Sequence, residues 1–322
     1  MTDSARASTY LKIKLMLIKI KPKESNQRLD KFLTAKLPIS RSQIQKLIKA
    51  GQILVNGKKS NVHNFLNAGD VIKVNAAKKI KELTTGKKLE PNKKVKFKIA
   101  YEDNDILVIN KPAGLMVHPT EKMENNTLVN GLLDKYPEIK KIGDDSLRPG
   151  IVHRLDKAVS GLILVCKTQK AFDYYKKQFQ DRKIKKIYTA LVHGWMEKTE
   201  GEINLPIERA KGKGKMAVKP ISQGGKEAIT KYNVIKQFKN FSLLEINILT
   251  GRTHQIRVHL NAIQHPIVGD KLYKQKKVKE KLELDRPFLH STTLGFENMD
   301  SQYQEFTSKL PAKLLKVLKT LS

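Results

Sequence analysis

The chain has 322 residues, among them 63 lysines and arginines against 31 aspartates and glutamates, which gives a formal net charge of +32. This length provides for one large folded unit and one small one. The single cysteine, Cys166, excludes an intramolecular disulfide framework, and the apolar runs are far shorter than the roughly 20 residues of a membrane-spanning helix.

The excess of positive charge is what a surface that binds a polyphosphate needs, because each neutralised phosphate releases counterions. Most of this charge is lysine scattered along the whole chain, so a lysine-rich genome explains it as easily. The ten arginines are more informative, since the guanidinium group has a fixed geometry for carboxylates, phosphates and base edges. Four of them lie in two short segments, at Arg148, Arg154, Arg252 and Arg257.

Residues 10–21 alternate lysines with apolar residues at a period close to two, which favours a first strand or an extended lead-in. The lysines interrupt every apolar run before it reaches the length of a signal-peptide core. An organellar transit peptide is the alternative interpretation of this segment.

The segment from Gln27 to Val74 predicts a small unit of two helices followed by a strand pair. Ser40 is placed to cap the second helix, and Asn56-Gly57 is typical of a tight hairpin turn. The stretch from Lys78 to Lys94 is rich in lysine and threonine and has little periodicity, which indicates a linker. The predicted division is a small domain over 17–76, a linker over 77–95 and a larger domain over 96–322.

Beyond residue 96 short β-type runs dominate, and three helical patterns interrupt them. This mixture predicts an α+β fold, in which a mainly antiparallel sheet is flanked by helices. The basic loop at 211–215 lacks the full spacing of a nucleotide-binding loop, so we assign it no nucleotide. The predicted strands cover 97–102, 106–110, 162–165, 188–192, 228–235 and 242–249, and the predicted helices cover 127–136, 171–182 and 253–263.

The densest cluster of reactive side chains runs from Arg148 to Lys157, just before the apolar run from Gly161 to Val165. It contains Asp156, with His153 and Arg154 shortly before it. A carboxylate flanked by cations and next to a buried strand is well placed to stay ionised and to act as a nucleophile or a base. A structural salt bridge at the start of the strand explains this segment equally well.

A second cluster lies between Thr250 and Leu260. Thr253 is placed to cap a helix there, and Arg257, one turn later, can reach toward the sheet. Taken alone, such a helix is more often scaffold than site. Tyr188, in the strand-like run 185–194, is by itself a core aromatic residue.

Together, these segments resemble RluA-type pseudouridine synthases. The run from His153 to Gly161, His-Arg-Leu-Asp-Lys-Ala-Val-Ser-Gly, resembles the hallmark of that family. Tyr188 and the segment from Gly251 to His259 resemble its next two motifs in the same order. The segment from Pro112 to Pro119 is similar to the loop that precedes the catalytic motif, so the resemblance covers about Phe97 to Leu321.

Residues 27–74 resemble the alpha-L RNA-binding module that ribosomal protein S-four shares with many of these synthases. Within the family the likeness is closest to the RluD subgroup, which implies a hairpin loop of large-subunit ribosomal RNA as substrate. One departure is Ala158-Val159, where the family usually has Asp-Thr or Asp-Ser, so a polar pair beside the catalytic carboxylate is lost. The segments similar to the subgroup are 130–133, 148–153 and 265–270.

The resemblance implies that Asp156 is the catalytic carboxylate, which attacks the sugar or the base or removes a ribose proton. Arg257 is implied to hold Asp156 ionised and aligned. Tyr188 is implied to stack on the uracil and to help remove its C5 proton, and Arg154 to enter the gap that the flipped uridine leaves. No metal ion and no organic cofactor is expected. The other residues expected to bind RNA are His153, Arg252 and His254 in the larger domain and Arg28, Arg41, Lys46 and Lys49 in the small one.

The residues and the resemblance together predict an enzyme that isomerises uridine to pseudouridine in structured RNA, acting as a cytoplasmic monomer away from membranes. A synthase for a different ribosomal or transfer RNA site is one alternative. A non-catalytic RNA-binding protein of ribosome assembly would share the charge and the small domain, but it has no use for Asp156, Tyr188 and Arg257 together. A metal-dependent nuclease needs several carboxylates around a cation, and the motif segments offer one.

Overall fold

The computed structural model describes residues 16–37, 39, 41–76, 80, 89–120, 122–210, 214–273, 282 and 284–321. The chain divides into two compact units between Leu89 and Glu90. Within the described ranges, no helix is long and apolar enough to cross a membrane.

The smaller unit packs two helices against a four-stranded antiparallel sheet in the order β1-β4-β2-β3. Leu29, Phe32 and Leu33 lie on one helical face and are buried, as their spacing predicts. Asn56 and Gly57 both have positive φ, 51° and 76°, which the predicted tight hairpin turn requires. The elements are β1 (Met16–Lys19), α1 (Leu29–Lys36), α2 (Arg41–Lys49), β2 (Ile53–Val55), β3 (Lys58–Lys59) and β4 (Val71–Val74).

Two expectations for this unit fall partly or wholly outside the described residues. The predicted first strand is confirmed over Met16–Lys19, while residues 10–15 lie outside the described part of the chain. Ser40, the predicted cap of α2, lies outside it as well.

A buried carboxylate organises the two helices. The side chain of Asp30 is fully buried and accepts hydrogen bonds from Arg41 at 2.8 Å, Arg28 at 3.1 Å and Gln45 at 2.6 Å. Burial raises the pKa of Asp30, but these hydrogen bonds outweigh it and lower the pKa from 3.8 to about 2. Arg28 and Arg41, predicted from sequence to bind RNA, therefore have a structural partner, and their side chains are 27% and 41% exposed.

Replacing Asp30 by asparagine should destabilise the smaller unit by about 2 kcal/mol or more, because the charge that Arg28 and Arg41 surround is removed. The lowered pKa means that the carboxylate contributes its full stability above pH 3.8 and loses it as the pH falls toward about 2. Hydrogen exchange of the α1 amides in wild type and Asp30→Asn should therefore differ most near neutral pH and converge in acid. Equal exchange at neutral pH would contradict this role.

The larger unit is built on one mixed sheet in the order β5-β6-β7-β14-β8-β13-β12-β9, and β15 pairs with β14. A separate hairpin joins β10 and β11. The strands are β5 (Lys98–Glu102), β6 (Ile106–Lys111), β7 (Ser160–Cys166), β8 (Lys185–His193), β9 (Glu200–Asn204), β10 (Ile207–Arg209), β11 (Met216–Val218), β12 (Ile229–Phe238), β13 (Phe241–Ile248), β14 (Leu289–Glu297) and β15 (Tyr303–Thr307). The helices are α3 (Leu128–Lys135), α4 (Gln169–Gln180), α5 (Gln255–Ala262) and α6 (Ala312–Lys319).

The centre of this sheet holds its one parallel pair, β7 with β14, and every other pairing is antiparallel among the described residues. The predicted α+β class with a mainly antiparallel sheet is therefore confirmed. Gly161, near the start of β7, has a φ of +115°, and a Cβ atom there would lie 2.2 Å from the carbonyl oxygen of Ser291 on β14. Glycine at this position allows the two central strands to approach each other.

Two boundaries differ from the sequence-based expectation. Thr253 does not cap α5: His254 occupies the N-cap position, with left-handed backbone at φ 57°, and the helix begins at Gln255.

Glu90 and Asn92, predicted to belong to the linker, hydrogen-bond to Asn130 of α3. The larger unit therefore starts before residue 96, because these backbone groups are satisfied by one of its helices.

Candidate active site

Asp156 lies in the loop that leads into the central strand β7. A turn closes this loop, since the amide of Val159 donates to the carbonyl oxygen of Asp156 at 3.1 Å. The carboxylate is 15% exposed, and Arg257 of α5 donates to its Oδ2 atom at 3.2 Å. Nε2 of His254 lies 3.9 Å from the same oxygen. The structure thus brings the residues of two distant motifs together around one carboxylate.

Arg257 is held by a second carboxylate, Asp270. Its Nε and Nη2 atoms donate to the two oxygens of Asp270 at 2.6 and 2.8 Å. Asp270 is itself buried and fixed by the amides of Leu272 and Tyr273. Burial lowers the pKa of Arg257, but the two carboxylates outweigh this effect and raise it above the ordinary value. The guanidinium is therefore permanently charged, with its Nη1 group directed at Asp156.

Tyr273 contacts both neighbours of Asp156, Arg257 and His254. The guanidinium carbon of Arg257 lies 5.1 Å from the centre of its ring. Its hydroxyl accepts a hydrogen bond from the Met216 amide and lies 2.9 Å from Nδ1 of His254. When this hydroxyl donates to Nδ1, the proton of a neutral His254 is on Nε2, the nitrogen on the side of Asp156. Burial lowers the pKa of His254, which favours this neutral form.

Tyr188 of β8 lies on the wall of the same pocket as Asp156. Its side chain is buried, and burial together with the negative charge of Asp156 raises its pKa. Tyr188 is therefore an uncharged phenol at neutral pH.

Two cavities meet at Asp156, one of about 60 Å³ and one of about 220 Å³. Arg154, Asp156, His254 and Arg257 line both of them. Val159 is buried in the wall of the smaller cavity and Ala158 lines the larger one. The departure from the family pattern at these two positions thus makes the wall beside the carboxylate apolar.

Most of the predicted site residues of the larger domain line the smaller of these cavities, which is the candidate catalytic pocket. Arg252 lies on its rim, where its backbone amide donates to Gln255 and its Nε donates to the carbonyl oxygen of Glu227. His153 does not line it. Its Nε2 accepts the amide hydrogen of Leu164 at 2.8 Å, and burial lowers its pKa to about 3. The predicted residues that line the pocket are Arg154, Asp156, Tyr188, Arg252, His254 and Arg257.

Sequence reasoning missed a buried lysine that supports the catalytic loop. Nζ of Lys111 donates to the carbonyl oxygens of Pro112 and Leu115 at 2.9 and 2.8 Å. The amide of Gly114 in the same loop donates to the carbonyl oxygen of Lys157, next to Asp156. Burial lowers the pKa of Lys111 to about 7. In the sequence, the only indication of this role is that a lysine stands at the end of an apolar strand, directly before a proline.

The comparisons with known proteins agree with this fold. The chain matches the model of the RNA pseudouridylate synthase family over residues 105–262 and that of the S4 domain over residues 27–72. It is 35% identical to an uncharacterized RNA pseudouridine synthase of Bacillus subtilis, over 92% of this chain and 95% of that protein. It is 36% identical to ribosomal large subunit pseudouridine synthase D of Blochmanniella floridana, over 96% and 98% of the two chains.

A solved structure, human RNA pseudouridylate synthase domain containing 1, superposes with a TM-score of 0.55 at 28% identity, covering 69% of this chain and 86% of that one. The fold, the site and these likenesses define an enzyme that isomerises uridine in RNA to pseudouridine. The chain belongs to the RNA pseudouridylate synthase family, and its smaller unit carries an S4 domain.

Proposed function

We propose that this enzyme converts uridines of large-subunit ribosomal RNA to pseudouridine and that Asp156 is its catalytic carboxylate. The observation that supports the catalytic role most directly is the hydrogen bond from Arg257 to Asp156 in a pocket that Tyr188 also lines. The relatives named ribosomal large subunit pseudouridine synthase D, which are 36% and 37% identical to this chain, support the choice of RNA.

The reaction breaks the bond between N1 of uracil and C1′ of ribose, turns the base and joins C5 to C1′, while C5 loses its proton to a base and N1 gains one. The target nucleotide must leave its stack to reach a carboxylate inside a pocket, which costs a few kcal/mol and is easiest in loops. The cavity of about 60 Å³ beside Asp156 is too small for a nucleoside, so the adjoining cavity has to contribute space. Arg154 lines both cavities.

Asp156 must be ionised for each of the steps open to it, whether attack on the sugar, attack on the base or removal of a ribose proton. The fixed charge of Arg257 and the Nε2–H group of His254 stabilise this anion. Burial and the negative charge of Asp156 raise the pKa of Tyr188, so its phenol keeps its proton. We assign Tyr188 to stacking on the uracil, since it lines the same pocket as Asp156.

The experiment that tests this function is a map of pseudouridines in ribosomal RNA from cells with and without the gene. Loss of specific large-subunit pseudouridines, restored by the wild-type gene and not by Asp156→Asn, is the expected result. An unchanged ribosomal map with pseudouridines missing from transfer RNA would overturn the choice of RNA. Restoration by Asp156→Asn would overturn the catalytic role.

We also propose that the enzyme acts as a monomer in the cytoplasm. Asp156, Tyr188, Arg257 and Asp270 all belong to one chain, so the pocket is complete without a second copy. A single mass near 36.6 kDa in light scattering is expected.

Removing residues 1–89, the smaller unit, should weaken RNA binding while leaving the pocket of the larger unit in place, since all its lining residues lie beyond Glu90. Lys46 and Lys49 of α2 are exposed and supply charge for phosphates. The affinity of the full chain for a ribosomal RNA fragment should fall more steeply with salt than that of the truncated chain. Turnover at saturating RNA should stay similar.

Paired charge variants of the full chain give the control. Lys46→Gln with Lys49→Gln should reproduce part of the loss, whereas Lys58→Gln with Lys59→Gln, on β3, removes the same charge from another place. Equal effects of the two pairs, or equal salt slopes of the full and truncated chains, would show that α2 makes no specific RNA contact.

A further inference from the structure

A third cavity, of about 550 Å³, adjoins the catalytic pocket. Its volume falls within the range of roughly 300 to 1,000 Å³ that is typical of sites for small ligands. It shares Arg154, Tyr188 and Arg252 with the catalytic pocket, so the two spaces have common walls. A nucleotide that is covalently linked to a uridine in the catalytic pocket can therefore enter this cavity.

The walls of this third cavity are strongly cationic. Among the described residues that line it there are six lysines and arginines and no aspartate or glutamate. Several of these cations are paired with acids at the surface, such as Lys176 with Asp144 and Arg182 with Glu227. The six are Arg148, Arg154, Lys176, Arg182, Lys186 and Arg252.

Lys186 is the one buried residue among these six lysines and arginines. It lies on β8 two residues before Tyr188, and its side chain is only 6% exposed. No carboxylate lies within 4.0 Å of its Nζ atom in the part of the chain that the structure describes. Burial and the charge of Arg182 lower its pKa to about 8, so it is still mostly protonated at neutral pH. An ammonium group in the wall of this cavity, without a carboxylate partner, is a favourable contact for an anion that enters the cavity.

The ring of Phe179 gives Lys186 a partial interaction within the protein. Nζ lies 5.6 Å from the ring centre, where a cation is attracted by the aromatic face. His153 stacks on the same phenylalanine at 4.5 Å, which fixes the ring. This contact holds the ammonium group in place at the cavity, but it does not neutralise its charge.

We propose that the third cavity is a second nucleotide subsite, which holds the nucleotide next to the target uridine, and that Lys186 binds its phosphodiester group. The proposal rests on the proposed function, because the catalytic pocket must hold a uridine of an RNA strand. A phosphodiester supplies the anion that Lys186 lacks, and the neighbouring nucleotide is the one that the shared walls allow to reach it.

The test compares Lys186→Met with Lys185→Met in the full-length enzyme. Lys185 is the adjacent residue of β8, is exposed and pairs with Glu305 outside the cavity, so it is a control of equal charge. Binding of oligouridylate should weaken about tenfold in Lys186→Met, since one charge-assisted contact is lost. The slope of log affinity against log salt should fall by about 0.7, the contribution of one single-strand phosphate. Lys185→Met should match wild type.

A second arm changes the RNA instead of the protein. In the ribosomal hairpin identified by mapping, single phosphates beside the target uridine are replaced by uncharged methylphosphonates. One of these substitutions should weaken wild-type binding about tenfold and have no further effect on Lys186→Met.

Equal affinities and salt slopes for the two lysine variants, or an absence of any penalty from the methylphosphonates, would overturn the subsite. A purely structural role of Lys186 on Phe179 would lower the melting temperature of Lys186→Met without changing the salt slope. Failure of the proposed function is a separate result, because it shows as an unchanged pseudouridine map while the oligouridylate binding still reports on Lys186.

Discussion

Asp156→Asn is expected to lower the rate of pseudouridine formation by at least about a thousandfold, because the amide keeps the shape of the side chain and removes its negative charge. Arg257 keeps its two hydrogen bonds to Asp270 in this variant, so the fold should be preserved. RNA affinity should stay near that of wild type. Single-turnover kinetics on a substrate RNA, together with a binding isotherm, measure both effects.

Asp134→Asn is a suitable control for this variant. Asp134 is exposed on α3 and does not line the pocket, so the same chemical change there should leave the rate unchanged. A wild-type single-turnover rate in Asp156→Asn would remove Asp156 from the chemistry.

Arg257→Met is expected to lower the rate by about a hundredfold or more, because it removes the preorganised donor that faces the carboxylate. The same change leaves Asp270 buried without its cation, which should reduce the free energy of unfolding by about 3 to 5 kcal/mol. Both effects have one origin, the bridging position of Arg257 between two carboxylates. Rate and thermal stability should therefore be measured on the same preparations.

A second substitution separates the loss of the site from the loss of the fold. In Arg257→Met with Asp270→Asn the uncompensated buried charge is gone, so stability should partly recover while the rate stays low. Arg257→Lys keeps the charge and loses the forked geometry, and an intermediate rate is expected. If the rate recovered together with stability in the double variant, Arg257 would act through the fold and not on Asp156.

The sequence by itself determined many of the elements up to β13 and six residues that line the pocket, but it did not predict β9, β10, β11, β14, β15 or α6. The apolar run at 162–165 is long enough for a buried strand and too short for a helix of its own, and it forms the centre of β7. Asn56-Gly57 specifies its turn because both residues tolerate positive φ. Asp156, Tyr188 and Arg257 were found because each stands in a motif whose order along the chain is distinctive.

Only the tertiary structure decided which ionised groups pair with each other. Asp156 and Arg257 are 101 positions apart, and Arg257 also binds Asp270, whose segment offered no sign of this role. That Arg28 and Arg41 pair with the buried Asp30 was likewise visible only in the structure. A local pattern reports propensity and burial, whereas the partner of an ionised group depends on distances of a few Å between segments that the fold brings together.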